Sequence, residues 1–230
     1  MIITPEFVCL HLQKCAGSFL REYMLQNIKN SVYTGEPHDK MSDIPKEHRY
    51  KPVVGTVRDT WEWYISWYAG TQRNPHGHFW VLHKNGKQTT FQQFMKTIFS
   101  LNKKVHNVDF GLINNLGIGV YTYRYIQSYC NNPRQIFNQI DRLRNIPVPK
   151  KLHLCSVGNL ENDLMSFFNE IGYSLTQDQI TRLKNMDRVN KSNHDRSREY
   201  YTSSIICEIS RRDRLIVNNL PRFRKEQNEC

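Results

Sequence analysis

Apolar runs and helical stretches alternate through the first seventy residues of the chain. Residues 6–12 form an apolar run fit for a buried strand, which breaks at Gln13-Lys14-Cys15-Ala16-Gly17-Ser18 before a helical pattern covers 17–28. A second run at 53–57 reads as another buried strand and leads into an aromatic-rich helix over 60–69. Residues 71–88, with Asn-Pro and Asn-Gly pairs, read as loop, whereas 90–101 place Phe91, Phe94, Met95 and Ile98 on one helical face. Residues 103–119 fit neither period. Helices are predicted at 120–130 and 133–144, a strand at 151–157, a helix at 160–171 stopped by Gly172, and helices at 176–185 and 198–219. This order predicts an α/β fold with a parallel sheet, as one domain over residues 1–230, since no Pro/Gly/Ser-rich linker or internal repeat divides it.

The break after the first strand carries the most chemistry. A strand that feeds a small-residue loop and opens a helix directs loop N–H groups and the free donors of the first turn at one spot, where the helix dipole favours negative charge. Lys14 adds a positive charge, Gly17 allows close backbone approach and Ser18 offers a hydroxyl. The order is not that of a Walker A motif, in which Lys follows the second glycine. At the end of the second run, Arg58-Asp59 stands where a guanidinium can meet a phosphate, and Ser66 follows two turns into the next helix.

The balance of 32 Lys+Arg against 21 Asp+Glu, a formal charge of +11, points to an anionic partner without choosing among nucleotide, polyanion, nucleic acid and membrane surface. No zinc-finger, RNP or helix-turn-helix signature supports nucleic acid. Cysteines at 9, 15, 130, 155, 207 and 230 show neither zinc spacing nor a disulfide framework, so reduced thiols are expected. His76, His78 and His83 lack the spacing of a metal site, and no metal is expected. Nothing reads as a signal peptide and no apolar run approaches the ~18 residues of a membrane span, so a soluble, cytoplasm-like protein is expected.

The segment His11-Leu12-Gln13-Lys14-Cys15-Ala16-Gly17-Ser18 resembles the 5′-phosphosulfate loop of carbohydrate-type sulfotransferases, with Gln13 in place of the usual Pro and Cys15 in place of Thr. Arg58, Asp59, Ser66 and Tyr68 resemble that family's second signature, in which a Ser follows the Arg by eight residues; Thr60 replaces the usual Pro. A late stretch, with Lys191, Ser192 and Asn193 before Tyr200-Tyr201, resembles the family's loop over the donor. The resemblance implies a three-layer α/β/α, P-loop NTPase-like fold with a central parallel sheet. It also implies transfer of a sulfonate from 3′-phosphoadenosine 5′-phosphosulfate (PAPS) to an acceptor hydroxyl, with a carbohydrate as the expected acceptor. Residues Lys14, Cys15, Ala16, Gly17 and Ser18 would hold the 5′-phosphosulfate, Arg58 and Ser66 the 3′-phosphate, and Lys191, Ser192 and Asn193 the closing loop.

Two residues between the motifs compete as general base. His38, before an Ile44-Pro45 pair, matches a position where several families of this architecture carry a catalytic histidine, and Glu36 is the carboxylate rival. Trp61, Trp63, Trp67 and Tyr68 read as core and wall rather than as an adenine platform. A nucleotide kinase of the same architecture and a catalytically inactive polyanion binder remain as alternative readings. No nucleic-acid partner is expected.

Overall fold

The computed structural model describes residues 1–36, 38–74, 76–83, 89–186 and 197–217. In chain order the first elements are β1 (Ile2–Ile3), β2 (Val8–Cys9), α1 (Gly17–Asn27), β3 (Val32–Tyr33), β4 (Val53–Val57) and α2 (Thr60–Gln72). The middle of the chain forms α3 (Phe91–Ser100), β5 (Lys104–Val105), β6 (Val108–Asp109), α4 (Phe110–Asn115), α5 (Val120–Tyr129) and α6 (Pro133–Phe137). It ends with β7 (Leu152–Ser156), α7 (Leu160–Glu170), α8 (Gln177–Asn185), α9 (Ser203–Arg212) and α10 (Arg214–Val217). No described helix is long and apolar enough to cross a membrane.

These elements fall into two compact units interleaved along the chain. Of the described residues, 1–59, 127–132 and 147–186 belong to the first, and 60–126, 133–146 and 197–217 to the second.

The first unit is mixed α/β. Its sheet runs in the order β3-β1-β2-β4-β7, with β2, β4 and β7 parallel and β1 antiparallel to both β2 and β3. The expected parallel sheet is present at the centre, and one edge is antiparallel. The cause is local: a tight turn over Thr4–Phe7, in which Thr4 N–H donates to the Phe7 carbonyl and Phe7 N–H to Thr4 Oγ1, folds β1 back beside β2. Such a two-strand return cannot be made in parallel, which needs a long crossover. Helices α1 and α7 bury Phe19, Leu20, Leu164 and Phe168 in one core with Phe7 and Val54 from the sheet side. α7 ends as its glycine predicts, Gly172 taking φ +70°.

The second unit is built mainly of helices, with a small β5–β6 hairpin in the stretch whose pattern matched neither period. Its core is aromatic: Trp63 stacks on Tyr121 at 4.9 Å, and Trp67 packs against Phe94 and Phe110. Trp61, Trp63, Trp67 and Tyr68 are buried, as core residues should be. Thr90 and Gln93 form a capping box that starts α3 where the pattern does. The long helix expected over 198–219 is instead a 3-10 turn (Ser197–Tyr200), α9 and α10, divided at Asp213, whose carboxylate is drawn away to Tyr64 and Thr122. Likewise the helix expected over 133–144 stops at Phe137 and gives way to a 3-10 turn at Ile140–Arg142.

Candidate functional site

The site is built in the first unit from the loop that follows β2. Pairing of β2 with β4 continues one residue past the strand, through Leu10 N–H to the Val54 carbonyl at 2.9 Å, and then the two chains part. The Tyr129 hydroxyl occupies the point of parting. It accepts from Leu12 N–H at 3.1 Å and Thr56 N–H at 2.9 Å, and donates to the Thr56 carbonyl at 2.6 Å. Gly55 makes room for this ring, since a Cβ there would lie 2.7 Å from Tyr129 Cε1. A glycine inside a strand signals such a close approach.

Beyond Leu12 the chain turns sharply. Cys15 N–H donates to the Leu12 carbonyl at 3.0 Å, and Thr56 Oγ1 donates to the Cys15 carbonyl at 2.6 Å. This last bond ties the loop to the end of β4 one residue from Lys14 and two residues from Arg58. Lys14 and Ala16 both take left-handed backbone, φ 68° and 58°. That conformation costs a residue with a Cβ roughly 1–3 kcal/mol and recurs where successive N–H groups line an anion-binding nest. Cys15 is fully buried, so its share in the site is its backbone and not its thiol. Cys9, Cys130 and Cys155 are also free thiols, whereas Cys207 is disulfide-bonded, against the expectation from the scattered spacing.

Helix α1 begins at Gly17 with Ala16 as N-cap, without a side-chain cap and without an acidic residue in its first turn. Its first helical bond runs from Leu20 N–H to the Ala16 carbonyl. The earlier N–H groups of any helix lack a helical acceptor, and the macrodipole adds partial positive charge there. Gly17 is required by packing as well as by approach: a Cβ at this position would stand 2.1 Å from His11 Cδ2. His11 in turn meets His38 edge to face, ring centroids 4.7 Å apart. Burial, and then the charge of His38, hold the His11 imidazole down to about 3, so it stays neutral at ordinary pH.

His38 is presented on a tight turn, its own φ at +72° and Gly35 at +73°, closed by Asp39 N–H to the Glu36 carbonyl. Through His11 it is joined to the face of the loop at Gly17. Glu36 is exposed, and its carboxylate enters no hydrogen bond or ion pair among the described residues. The structure thus gathers Lys14, Cys15, Ala16, Gly17 and Ser18 in one loop, with Arg58 at the adjacent strand end and His38 on the neighbouring turn. Ser66 belongs to the second unit, where it is 5% exposed on α2, and its assignment rests on its spacing from Arg58 alone. Lys191, Ser192 and Asn193 lie outside the described residues.

Three contributors escaped the sequence reading. His11 read as part of a strand, and Thr56 as an interior strand residue. Tyr129 read as part of a helix with no tie to the loop. Only Gly55 hinted that something large comes close. No protein-family model matches the chain, and a search of curated proteins gives no significant match.

Proposed function

We propose that this protein is a sulfotransferase that moves a sulfonate from PAPS to an acceptor hydroxyl, with a carbohydrate as the expected acceptor and the three-layer, P-loop-like architecture as its frame. The observation that carries the reading is the tie between the loop and the end of β4 through Thr56 Oγ1 and the Cys15 carbonyl. It sets a helix start whose N-cap, Ala16, offers no capping side chain, and two basic residues, at the carboxyl ends of neighbouring parallel strands, the usual place for a ligand in α/β sheets.

In this reading the loop N–H groups and Ser18 hold the 5′-phosphosulfate. Lys14 stabilises the leaving phosphate oxygen as its bond to sulfur breaks, and Arg58 reads the 3′-phosphate. His38 accepts the proton of the acceptor hydroxyl while that oxygen bonds to sulfur, and His11 holds the His38 ring from its edge. Positioning and aligned donors supply most of the rate, as in other group transfers to a fixed acceptor.

Calorimetry with adenosine 3′,5′-bisphosphate against AMP tests the donor half. The bisphosphate should bind roughly ten- to a hundredfold tighter, and Arg58→Ala should remove the difference. Equal binding of the two nucleotides overturns the reading, and a strong magnesium requirement for ATP favours a kinase. An acceptor screen tests the rest: His38→Ala should lower turnover by roughly a hundred- to ten-thousandfold with bisphosphate affinity unchanged. A large loss in Glu36→Gln with His38→Ala nearly silent moves the base to Glu36. Tight bisphosphate binding without turnover on any acceptor favours the inactive polyanion binder.

A further inference from the structure

The second unit contains a buried cation with no counterion among the described residues. Arg124, on α5, is only 6% exposed, yet its Nε and Nη2 have no hydrogen-bond partner among the described residues, and it enters no ion pair there. Burial brings the guanidinium down only to about 10, so it keeps its charge at neutral pH. Two aromatic rings flank it: Cζ lies 5.8 Å from the Trp67 centroid and 5.4 Å from that of Phe79. These rings touch each other at 5.5 Å, so the three side chains form one cluster. Within it the Trp67 indole N–H is also buried and also without a partner among the described residues.

Aromatic faces attract a cation but accept no strong in-plane hydrogen bond, so they leave the guanidinium edge unsatisfied. Which edge is left matters. Nε and Nη2 form the side of the guanidinium whose N–H bonds run parallel, the fork that matches two oxygens of one carboxylate, sulfate or phosphate group. The carboxylate of Asp109, whose charge acts on Tyr123 next to Arg124, is engaged instead with Leu112 N–H at the start of α4. Toward solvent, Phe79 packs against His106, and His106 stacks on His78 at 4.3 Å with the rings nearly parallel. Both histidines are exposed, and the charge of Arg124 reaches His106. Among the described residues, the side chains stacked outward from the cluster, Phe79, His106 and His78, include no carboxylate.

We propose that Arg124 is the receptor for a single oxyanion group, held side-on by Nε–H and Nη2–H between Trp67 and Phe79, with the Trp67 indole N–H as a further donor in the same cluster. The class of ligand is a small molecule or substituent carrying a carboxylate, sulfate or phosphate. This holds whether or not the loop after β2 takes a nucleotide, because every group in the argument belongs to the second unit.

The test uses the full chain labelled with nitrogen-15, following the Arg124 Nε–H and Trp67 Nε1–H signals while sodium sulfate, sodium phosphate or sodium acetate replaces sodium chloride at constant ionic strength. Both signals should move along one saturating curve with at least one probe, and the order of affinity among the three identifies the group recognised. The Gly17 amide serves as an internal control for binding at the loop. Arg124→Lys keeps the charge but loses the fork, and should weaken the response of Trp67 at least tenfold. Signals that stay still, that drift linearly, or that remain fixed while only Gly17 responds overturn the proposal. So does an unchanged Trp67 curve in Arg124→Lys; if that variant does not fold, the titration of the unaltered chain decides alone.

Discussion

The first turns of α1 and α5 present the same chemistry, N–H groups that no helical carbonyl reaches, and the chain treats the two in opposite ways. In the second unit, Asp213 accepts from Thr122 N–H at 2.8 Å and from the Thr122 hydroxyl at 2.7 Å, and Tyr64 donates to its other oxygen at 2.8 Å while accepting from Val120 N–H. The start of α5 thus receives an anion from the protein itself. Asp213 is fully buried, and burial pushes its carboxyl pKa up despite these donors. In the first unit, α1 starts at Ala16 in a left-handed conformation, without side-chain cap or acidic residue. A helix start completed from within serves stability. One that begins at a strained Ala16 with no capping side chain, beside Lys14 and Arg58, suits a ligand's charge, and the contrast is open to direct attack.

The largest effect is expected from Asp213→Ala, which strands three buried donors and opens a void; urea unfolding should show a loss of about 3–6 kcal/mol. Asp213→Asn should cost less, because the amide oxygen can still accept from the Thr122 N–H and hydroxyl, and only the Tyr64 hydroxyl loses its acceptor. A native midpoint in the Ala variant removes Asp213 from the centre of this unit. Gly17→Ala should come next, with little change in overall fold but about a hundredfold weaker bisphosphate binding, because the new Cβ and His11 cannot share the space. The double variant His11→Ala/Gly17→Ala should recover much of that loss. Failure to recover means that the loop is disturbed through something other than His11.

Tyr129→Phe should cost about 2 kcal/mol in unfolding free energy, since Leu12 N–H and Thr56 N–H lose their acceptor. Bisphosphate affinity should fall with it, and an unchanged affinity separates the strand junction from the loop's shape. The smallest effect is a slope. Unfolded His11 takes its proton near 6.5, whereas in the folded chain it does so only near 3. Between these values the unfolded state binds more protons, so stability falls as pH falls, by about 1.4 kcal/mol per pH unit from this group. The raised carboxyl of Asp213 works in the other direction, its contribution declining as pH rises above the ordinary carboxylate range. Comparing urea midpoints at several pH values in the unaltered chain and in His11→Phe isolates the histidine's share, and equal slopes show that His11 is not held neutral.

What the amino-acid order determined by itself was local. The strand Val53–Val57, the capping residues Thr90 with Gln93 and Thr176 with Gln179, the stop at Gly172 and the loop from Lys14 to Ser18 all follow from residues within a few positions of one another, where periodicity and backbone preference act. Tertiary structure alone decided which distant group completes each of them. Tyr129 is 117 positions from Leu12, and Asp213 is 149 from Tyr64, so no window of sequence contains either pair. The antiparallel edge of the sheet, the His11 ring over Gly17 and the lack of a partner for Arg124 among the described residues have the same origin. Buried donors and acceptors left over from main-chain pairing are matched, or left unmatched, only once the elements have packed, and that outcome carries no periodic signature in the chain.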